Sequence, residues 1–268
     1  MRKLSELIVL IRGGGEVGSA IAYRLSRCHF RICITEIASP LAISRGVSFS
    51  EAIYDTTKMV EELTAERTLP SLEHIYRIWR SGKIPIVVDP ELTVKPLIKP
   101  DVLINAMMLK RQTNTRITDA SLVIGIGPGF TAGSDVHMVI ESNFGINLGS
   151  IIVEGESEKA SENPELREEA LILAEEAGVF TTDKNIGDSV LPGDFIGNLN
   201  DAPVTAPVSG VLRGILRNES RVLANLEMAE VDPVNNKAAC FSIRNNMKVI
   251  SGSVLESILM TLNTAEMS

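Results

Sequence analysis

The sequence has few cysteines, few aromatic residues and fewer basic than acidic residues. Its three cysteines, Cys28, Cys33 and Cys240, form no Cys-x-x-Cys motif and no cluster with histidine, so no metal site is expected. Such sparse use of cysteine fits a reducing cytoplasm. Aromatic residues make up 4% of the 268 residues, so the core must be filled mainly by aliphatic side chains.

The net charge of −8 argues against two classes of partner. An acidic surface repels both nucleic acid and anionic membranes. No apolar run reaches membrane-spanning length, and the short N-terminal run breaks at Arg12, so neither a signal peptide nor a transmembrane segment is expected. These features predict a cytoplasmic protein that binds neither nucleic acid nor membrane.

A glycine-rich turn follows the first apolar run. Residues 7–11 predict a strand buried on both faces, and Gly13, Gly14, Gly15 and Gly18 then form a G-x-G-x-x-G pattern that opens a helix. Gly13 permits a tight turn, Gly15 lets the backbone approach a phosphate, and Gly18 lets the helix pack closely on the strand. The helix N-terminus adds free N–H groups that favour phosphate. The alternative is a fold that keeps these glycines only for packing.

An acidic residue ends the second strand. Residues 31–35 predict that strand, and Glu36 follows Gly18 by 18 residues, where an acid can bind ribose hydroxyls. If a nicotinamide cofactor binds, Glu36 favours NAD over NADP because its charge repels a 2′-phosphate. The alternative is a solvated carboxylate at a strand end.

Further elements complete a Rossmann-like α/β pattern. Residues 84–88, 101–104 and 122–126 predict buried strands, and residues 71–80 predict a helix between them. We therefore expect an α/β fold with a Rossmann-like parallel sheet over 1–155.

A second glycine-rich turn and a basic pair are further candidates for ligand binding. Gly127, Gly129 and Thr131 follow a strand, and we expect them to lead into a helix that faces the first turn across a cleft. Lys110 and Arg111 could clamp a phosphate or carboxylate. Alternatively, these glycines only shape a sharp loop, and the basic pair lies in a solvated loop without binding a ligand.

The second half of the chain differs in pattern. A Glu-rich stretch over 156–178 predicts an acidic helical linker, and short alternating runs over 179–247 predict a small all-β domain. A repeat of period 32 suggests two halves related by a pseudo-twofold axis. The capping-box pattern at 253–256 predicts a short helix within 248–268. The repeat consists of four matches, which are Gly178-Val179 with Gly210-Val211, Val190-Leu191 with Val222-Leu223, Gly193 with Asn225, and Ile196 with Met228.

The β region resembles the biotinyl/lipoyl-like barrel-sandwich hybrid family. Residues 187–196 are similar to that family's G-D-x-V-x-x-G-D-x-I strand pair, and residues 206–211 are similar to its A-P-x-x-G-x-V entry strand. The family's modified lysine lies on the hairpin between these motifs. The corresponding connection here, residues 197–203, contains no lysine, so no covalent biotin or lipoate is expected.

The chain as a whole resembles one bacterial family, the selenium-dependent molybdenum hydroxylase system proteins of the YqeB type, which are related to XdhC-type factors with a Rossmann domain. The resemblance implies an accessory role in maturing molybdenum hydroxylases or supplying their cofactor. The chain departs from it after Gly155, where the acidic stretch replaces an Asn/Thr/Gly/Pro-rich loop. The segments that carry the resemblance are residues 11–15, 40–43, 47–52, 123–133 and 207–214.

Three functional hypotheses follow. The first is an accessory factor that binds a molybdenum cofactor or another phosphorylated small molecule and docks a molybdenum hydroxylase client; self-association into a homo-oligomer stays open. The second is an NAD-dependent oxidoreductase, for which His29, His74 and His137 are the candidate proton donors. The third is a nucleotide-sensing protein without chemistry. Whether the chain is an enzyme stays open.

Overall fold

The protein is a mixed α/β molecule, and the computed structural model describes residues 4–109, 114–159 and 170–267. It divides into two units. Unit 1 contains residues 1–40, 49–162 and 244–268, and unit 2 contains residues 41–48 and 163–243. Each predicted domain is one continuous stretch of the chain, whereas each observed unit combines segments that are far apart in the sequence.

A nine-stranded sheet forms the centre of unit 1, in the order β10-β9-β7-β6-β1-β2-β5-β4-β3. All its neighbouring pairs are parallel except β3–β4 and β9–β10 at the two edges. The predicted α/β class with a parallel-rich sheet is therefore confirmed. Its strands are β1 (Ile8–Arg12), β2 (Arg31–Glu36), β3 (Thr57–Val60), β4 (Leu63–Thr68), β5 (Ile84–Val88), β6 (Val102–Asn105), β7 (Leu122–Ile126), β9 (Met138–Ile140) and β10 (Ile151–Ile152), while β8 (Thr131–Ala132) pairs with β11 (Gly155–Glu156).

The strands expected from apolar runs are the buried strands of this sheet. Every residue of β1, β6 and β7 is buried, because these strands are covered on both faces. The helices agree with the sequence predictions less well than the strands do. The described α-helices are α1 (Glu16–Arg27), α2 (Ala52–Asp55), α3 (Leu72–Arg80), α4 (Lys95–Ile98) and α5 (Asn245–Met267).

The C-terminal helix begins earlier than predicted. Ser253 lies inside α5, where its hydroxyl donates to the Val249 carbonyl oxygen at 3.3 Å, so the predicted capping box does not open the helix. The apolar stripe explains the earlier start, since Ile250, Val254 and Ile258 are all buried at helical spacing. None of the helices in the described ranges is both long and apolar enough to cross a membrane.

The predicted acidic linker helix is not observed where the chain is described. Residues 160–169, with the expected helix start, lie outside the described residues. Residues 170–173 form strand β12, which pairs with another strand of unit 2. Three of its four residues pack against the unit 2 core, and this burial outweighs the helical tendency of the surrounding glutamates. Gly178, expected to stop the helix, begins a strand.

Unit 2 contains two antiparallel four-stranded sheets, β12-β19-β17-β14 and β16-β15-β13-β18. A shift of 32 residues carries β13, β14 and β15 onto β17, β18 and β19, and each sheet then maps onto the other when β16 is matched with β12. The predicted repeat is therefore present in the strand order. The strands are β12 (Ala170–Leu173), β13 (Gly178–Thr181), β14 (Ser189–Val190), β15 (Phe195–Leu199), β16 (Ala202–Thr205), β17 (Gly210–Ile215), β18 (Ser220–Val222) and β19 (Glu227–Asp232).

Candidate functional site

The first glycine turn connects β1 to α1 at the carboxyl edge of the sheet. Gly13 has a φ of +94°, which favours glycine. A Cβ on Gly18 would lie 1.9 Å from the Gly13 carbonyl oxygen, so the helix packs on the turn as expected. A Cβ on Gly15 would meet no atom within 4 Å, so this position faces open space. The fold therefore requires glycine at Gly13 and Gly18, whereas Gly15 faces open space.

A neighbouring segment braces the turn. The Ser50 N–H donates to the Gly14 carbonyl oxygen at 2.8 Å. The Ser19 hydroxyl donates to the same oxygen at 2.9 Å and accepts from the Phe49 N–H at 2.7 Å. A Cβ on Gly14 would lie 3.1 Å from the Ser50 nitrogen, so a side chain here would require a small shift of this neighbouring segment. These hydrogen bonds therefore connect the turn to both α1 and the segment at residues 49–50.

Glu36 lies against the same turn. Its Oε1 accepts from the Gly14 N–H at 2.7 Å, and its Oε2 accepts from the Ile37 N–H at 2.8 Å. Burial raises the pKa of the Glu36 carboxyl, and these two backbone hydrogen bonds oppose that shift. Because each carboxylate oxygen has a second lone pair, the fixed carboxylate can still accept from the two hydroxyls of a ribose.

The N-terminus of α1 carries a carboxylate of its own. Glu16 is in the first turn of the helix, where the dipole favours negative charge. Its Oε1 lies 3.2 Å from the Arg244 Nε, and both side chains are largely buried. A phosphate at this helix end would approach Glu16, and Arg244 offsets the resulting repulsion.

The second glycine turn differs from its prediction, because no helix follows it. The chain passes from β7 to the short strand β8 and then through a tight turn to β9. Gly127 and Gly129 have φ values of +74° and +105°. A Cβ on Gly127 would lie 2.4 Å from the Ser142 Oγ. Close packing and backbone conformation therefore account for both glycines, and the predicted helix dipole is missing.

Thr131, in the same turn, has protein partners for both of its donors. Its N–H donates to the Asp135 carboxylate at 3.0 Å and its hydroxyl donates to Glu156 at 3.1 Å. Lys110 and Arg111 lie outside the described residues. Of the predicted site residues, the structure therefore brings together Gly13, Gly14, Gly15, Gly18 and Glu36.

A buried arginine beside the first turn was missed by the sequence analysis. Arg12 is 5% exposed, and its Nη1 donates to the Asn114 Oδ1 and the Thr115 Oγ1, both at 2.8 Å. Its Nη2 donates to the Pro90 carbonyl oxygen at 3.3 Å. The one signal in the sequence was a charged residue at the end of an apolar strand, directly before Gly13.

His137 and Cys33 have structural roles. The Nδ1 of His137 accepts from the Val123 N–H at 3.0 Å, and burial lowers the pKa of this imidazole. Cys33 is buried in the core, which raises the pKa of its thiol. Within the described ranges, no three His, Cys, Asp or Glu residues are grouped so that they could hold a metal ion.

Two solved structures resemble the chain weakly. One is TcdA (CsdL), with a TM-score of 0.34 and 10% identity over 97% of this chain and 89% of that protein. The other is an aspartoacylase family protein from Mesorhizobium loti, with a TM-score of 0.25 and 12% identity over 84% of each chain. No protein-family model matches the chain.

A curated protein is similar in sequence over nearly the full chain. It is named "Uncharacterized protein YqeB", from Escherichia coli (strain K12). The two are 32% identical over 260 residues, which make up 96% of this chain and 48% of the relative. The chain therefore spans about half the length of the curated relative that it matches, and it is similar to YqeB along that length.

Proposed function

We propose that this protein is a bacterial, cytoplasmic accessory factor for a selenium-dependent molybdenum hydroxylase and that it binds a phosphate-bearing cofactor at its first glycine turn. The ligand is of the molybdopterin type or a nucleotide. The proposal combines the geometry of the turn with the resemblance to the molybdenum hydroxylase system family. The sequence similarity to YqeB supports the resemblance, although that protein's name gives no activity.

The observation that carries the proposal is the open face of Gly15 beside the fixed carboxylate of Glu36. A side chain on Gly15 would fill space that the protein leaves empty, whereas Gly13 and Gly18 are required by the fold. A phosphate at Gly15 can accept from N–H groups of the first turn of α1, and a ribose can donate to Glu36. The fit to a phosphorylated ribosyl ligand rests on these two groups together.

The finer fold assignments follow from the same proposal. A Rossmann-like unit 1 is supported by the strand order around β1 and by the glycine turn at its carboxyl end. A barrel-sandwich hybrid in unit 2 is supported by two sheets that map onto each other under the 32-residue repeat. The β15–β16 hairpin contains no lysine, which supports a docking role toward a client hydroxylase rather than a covalent biotin or lipoate carrier.

The second candidate is an NAD-dependent oxidoreductase, and the specific observation in its favour is Glu36. A carboxylate that faces the ribose position selects a free 2′-hydroxyl over a 2′-phosphate. The structure weakens the candidate proton donor His137, because its Nδ1 already accepts from a backbone N–H. A nucleotide-sensing protein without chemistry would use the same turn.

The test is a thermal-shift and calorimetry panel with NAD, NADP, ADP, CTP and a molybdopterin dinucleotide. A ligand at 100 times its dissociation constant adds about 2.7 kcal/mol to the free energy of unfolding. For a chain of this size this corresponds to about 5 to 10 °C in Tm. A shift with the pterin compound supports the accessory factor, and a shift with NAD followed by hydride transfer supports the oxidoreductase.

A matched pair of variants locates the binding. Gly15→Ala adds a methyl group to the open face and should abolish the ligand-induced shift. Gly252→Ala is the control. Gly252 lies in α5, and a Cβ there would meet only the Arg24 guanidinium, at 3.9 Å. Absence of any shift across the panel, or an equal shift in both variants, would contradict binding at the first turn.

A further inference from the structure

The guanidinium of Arg12 is buried, yet its hydrogen bonds go only to neutral oxygens. They are the Asn114 amide oxygen, the Thr115 hydroxyl and the Pro90 carbonyl. An arginine has five N–H donors, and these three bonds use both donors of Nη1 and one of Nη2. Among the described residues, the Nε–H and the second N–H of Nη2 have no acceptor. Nε and Nη2 are neighbouring nitrogens, and together they form an edge that can bind an oxyanion through two parallel hydrogen bonds.

The charge of Arg12 has no direct counterion within the described ranges. Burial lowers the pKa of its guanidinium, and Asp119, Glu91 and Asp89 only partly oppose that effect. None of these three carboxylates forms a salt bridge with Arg12. A buried cation without a paired anion is costly, so an arginine held in this state needs an explanation.

Two of these three acids, Asp119 and Asp89, form bonds with other groups. Asp119 forms a salt bridge with Lys95 and accepts from the Arg116 N–H at 2.8 Å. Asp89 accepts from the N–H groups of Thr93 and of the following residue, both at 2.8 Å. Neither carboxylate can turn toward Arg12 without losing these bonds.

Arg12 also lies at the edge of the sheet where ligands of parallel α/β folds bind. It ends β1, pairs in register with Asn105 at the end of β6, and directly precedes Gly13. The Asn105 amide donates to the same Thr115 hydroxyl at 2.8 Å, which fixes the loop that holds the guanidinium. Carboxyl ends of adjacent parallel strands are the usual position of small-molecule sites.

We propose that Arg12 binds a carboxylate or phosphate group of a small-molecule ligand through its Nε–H and Nη2–H edge. This anion site uses the Arg12 side chain rather than the open face of Gly15, and it would stand if the glycine turn bound nothing. The anion is either a second acidic group of the ligand bound at the turn or a separate small anion.

The first experiment uses the wild-type protein and follows the arginine Nε–H signals by nitrogen-15 NMR. Sodium phosphate and sodium acetate are titrated against sodium chloride at matched ionic strength. We expect the Arg12 signal to move saturably with one of the two oxyanions and to stay in place with chloride. An Arg12 signal that is unchanged in both titrations would overturn the proposal, and this result needs no variant to fold.

The second experiment compares Arg12→Lys with Arg80→Lys, which makes the same change at an exposed position. Lysine keeps the charge but loses the two-donor edge, so the oxyanion that moves the wild-type signal should bind about tenfold more weakly. Equal affinity in both variants would overturn the proposal.

Gly15→Ala separates the two sources of the anion and keeps this proposal distinct from the proposed function. If the anion is separate, this variant loses binding of the dinucleotide and keeps the Arg12 response to the simple oxyanion. If the anion is a second group of one ligand, Arg12→Lys also weakens the dinucleotide. An oxyanion response that Gly15→Ala abolishes and Arg12→Lys leaves intact would place the anion at the turn and refute a role for Arg12.

Discussion

Gly193 and Asn225 lie 32 positions apart and share a left-handed backbone, with φ values of +86° and +65°. The Gly193 N–H donates to the Ala206 carbonyl oxygen at 2.9 Å, and the Asn225 N–H donates to the Ala174 carbonyl oxygen at 2.7 Å. The two alanines are also 32 positions apart. Both halves of unit 2 therefore contain the same hydrogen-bonded turn. The position of Gly193 and Asn225 in this turn favours residues that tolerate a positive φ.

This turn predicts opposite effects for two substitutions. Gly193→Ala should lower the free energy of unfolding by about 1 to 2 kcal/mol, because the left-handed conformation disfavours a Cβ. Crowding is not the cause, since a Cβ there meets no atom within 4 Å. Asn225→Gly should be neutral or stabilising. Urea unfolding measures both, and an equal loss in the two variants would contradict the conformational explanation.

Gly18 and Gly15 should respond differently to the same added methyl group. Gly18→Ala places a Cβ 1.9 Å from backbone and should destabilise the protein by about 1 to 3 kcal/mol or prevent folding. Gly15→Ala should cost about 1 kcal/mol or less, as a weaker helix cap. Denaturant midpoints of the two variants measure the contrast, and a tolerated Gly18→Ala would show that the helix does not need this close approach.

The carboxyl of Glu36 should make stability depend on pH. Its pKa is raised in the folded state, so the folded protein holds this proton more tightly than the unfolded chain. Its contribution to stability is therefore present at acidic pH and is lost as the pH rises from the ordinary carboxyl pKa of 4.5 through the folded value. The difference in unfolding free energy between wild type and Glu36→Gln should fall over that window, and a rising difference would reverse the assignment.

The buried pair Arg213 and Glu230 should show strong coupling in unit 2. The Arg213 Nε lies 3.7 Å from the Glu230 Oε1, and the side chains are 3% and 4% exposed. Arg213→Met leaves a buried carboxylate without this partner and should cost about 3 to 5 kcal/mol. The double variant with Glu230→Leu should recover part of that loss. A double-mutant cycle with additive losses would rule out the coupling.

Thiol labelling should distinguish the three cysteines. Cys33 and Cys240 are buried with thiol pKa values raised by burial, whereas Cys28 is partly exposed. Iodoacetamide at neutral pH should therefore modify Cys28 first in the native protein. Mass spectrometry of peptides gives the order, and early modification of Cys33 would indicate that its strand opens.

Local patterns predicted the elements whose signals are contiguous. The apolar run before Gly13 gave β1, and the glycine spacing gave the turn into α1, because burial and backbone conformation act there within a few residues. Arg12 could not be recognised, since its acceptors on residues 114 and 115 come from a distant loop. The prediction of a helix after Gly129 was wrong, because a glycine turn can also lead into a strand.

Segment 41–48 has a consequence for how unit 2 can be transferred between proteins. The Ile43 carbonyl oxygen accepts from the Ile215 N–H at 2.9 Å, and the Ile43 side chain belongs to the unit 2 core. A gene fragment covering only 163–243 would encode both halves of the repeat but would omit this piece. Residues 163–243 alone are therefore not a complete unit 2. A fusion of this fragment to another protein would also need a replacement for the eight residues 41–48.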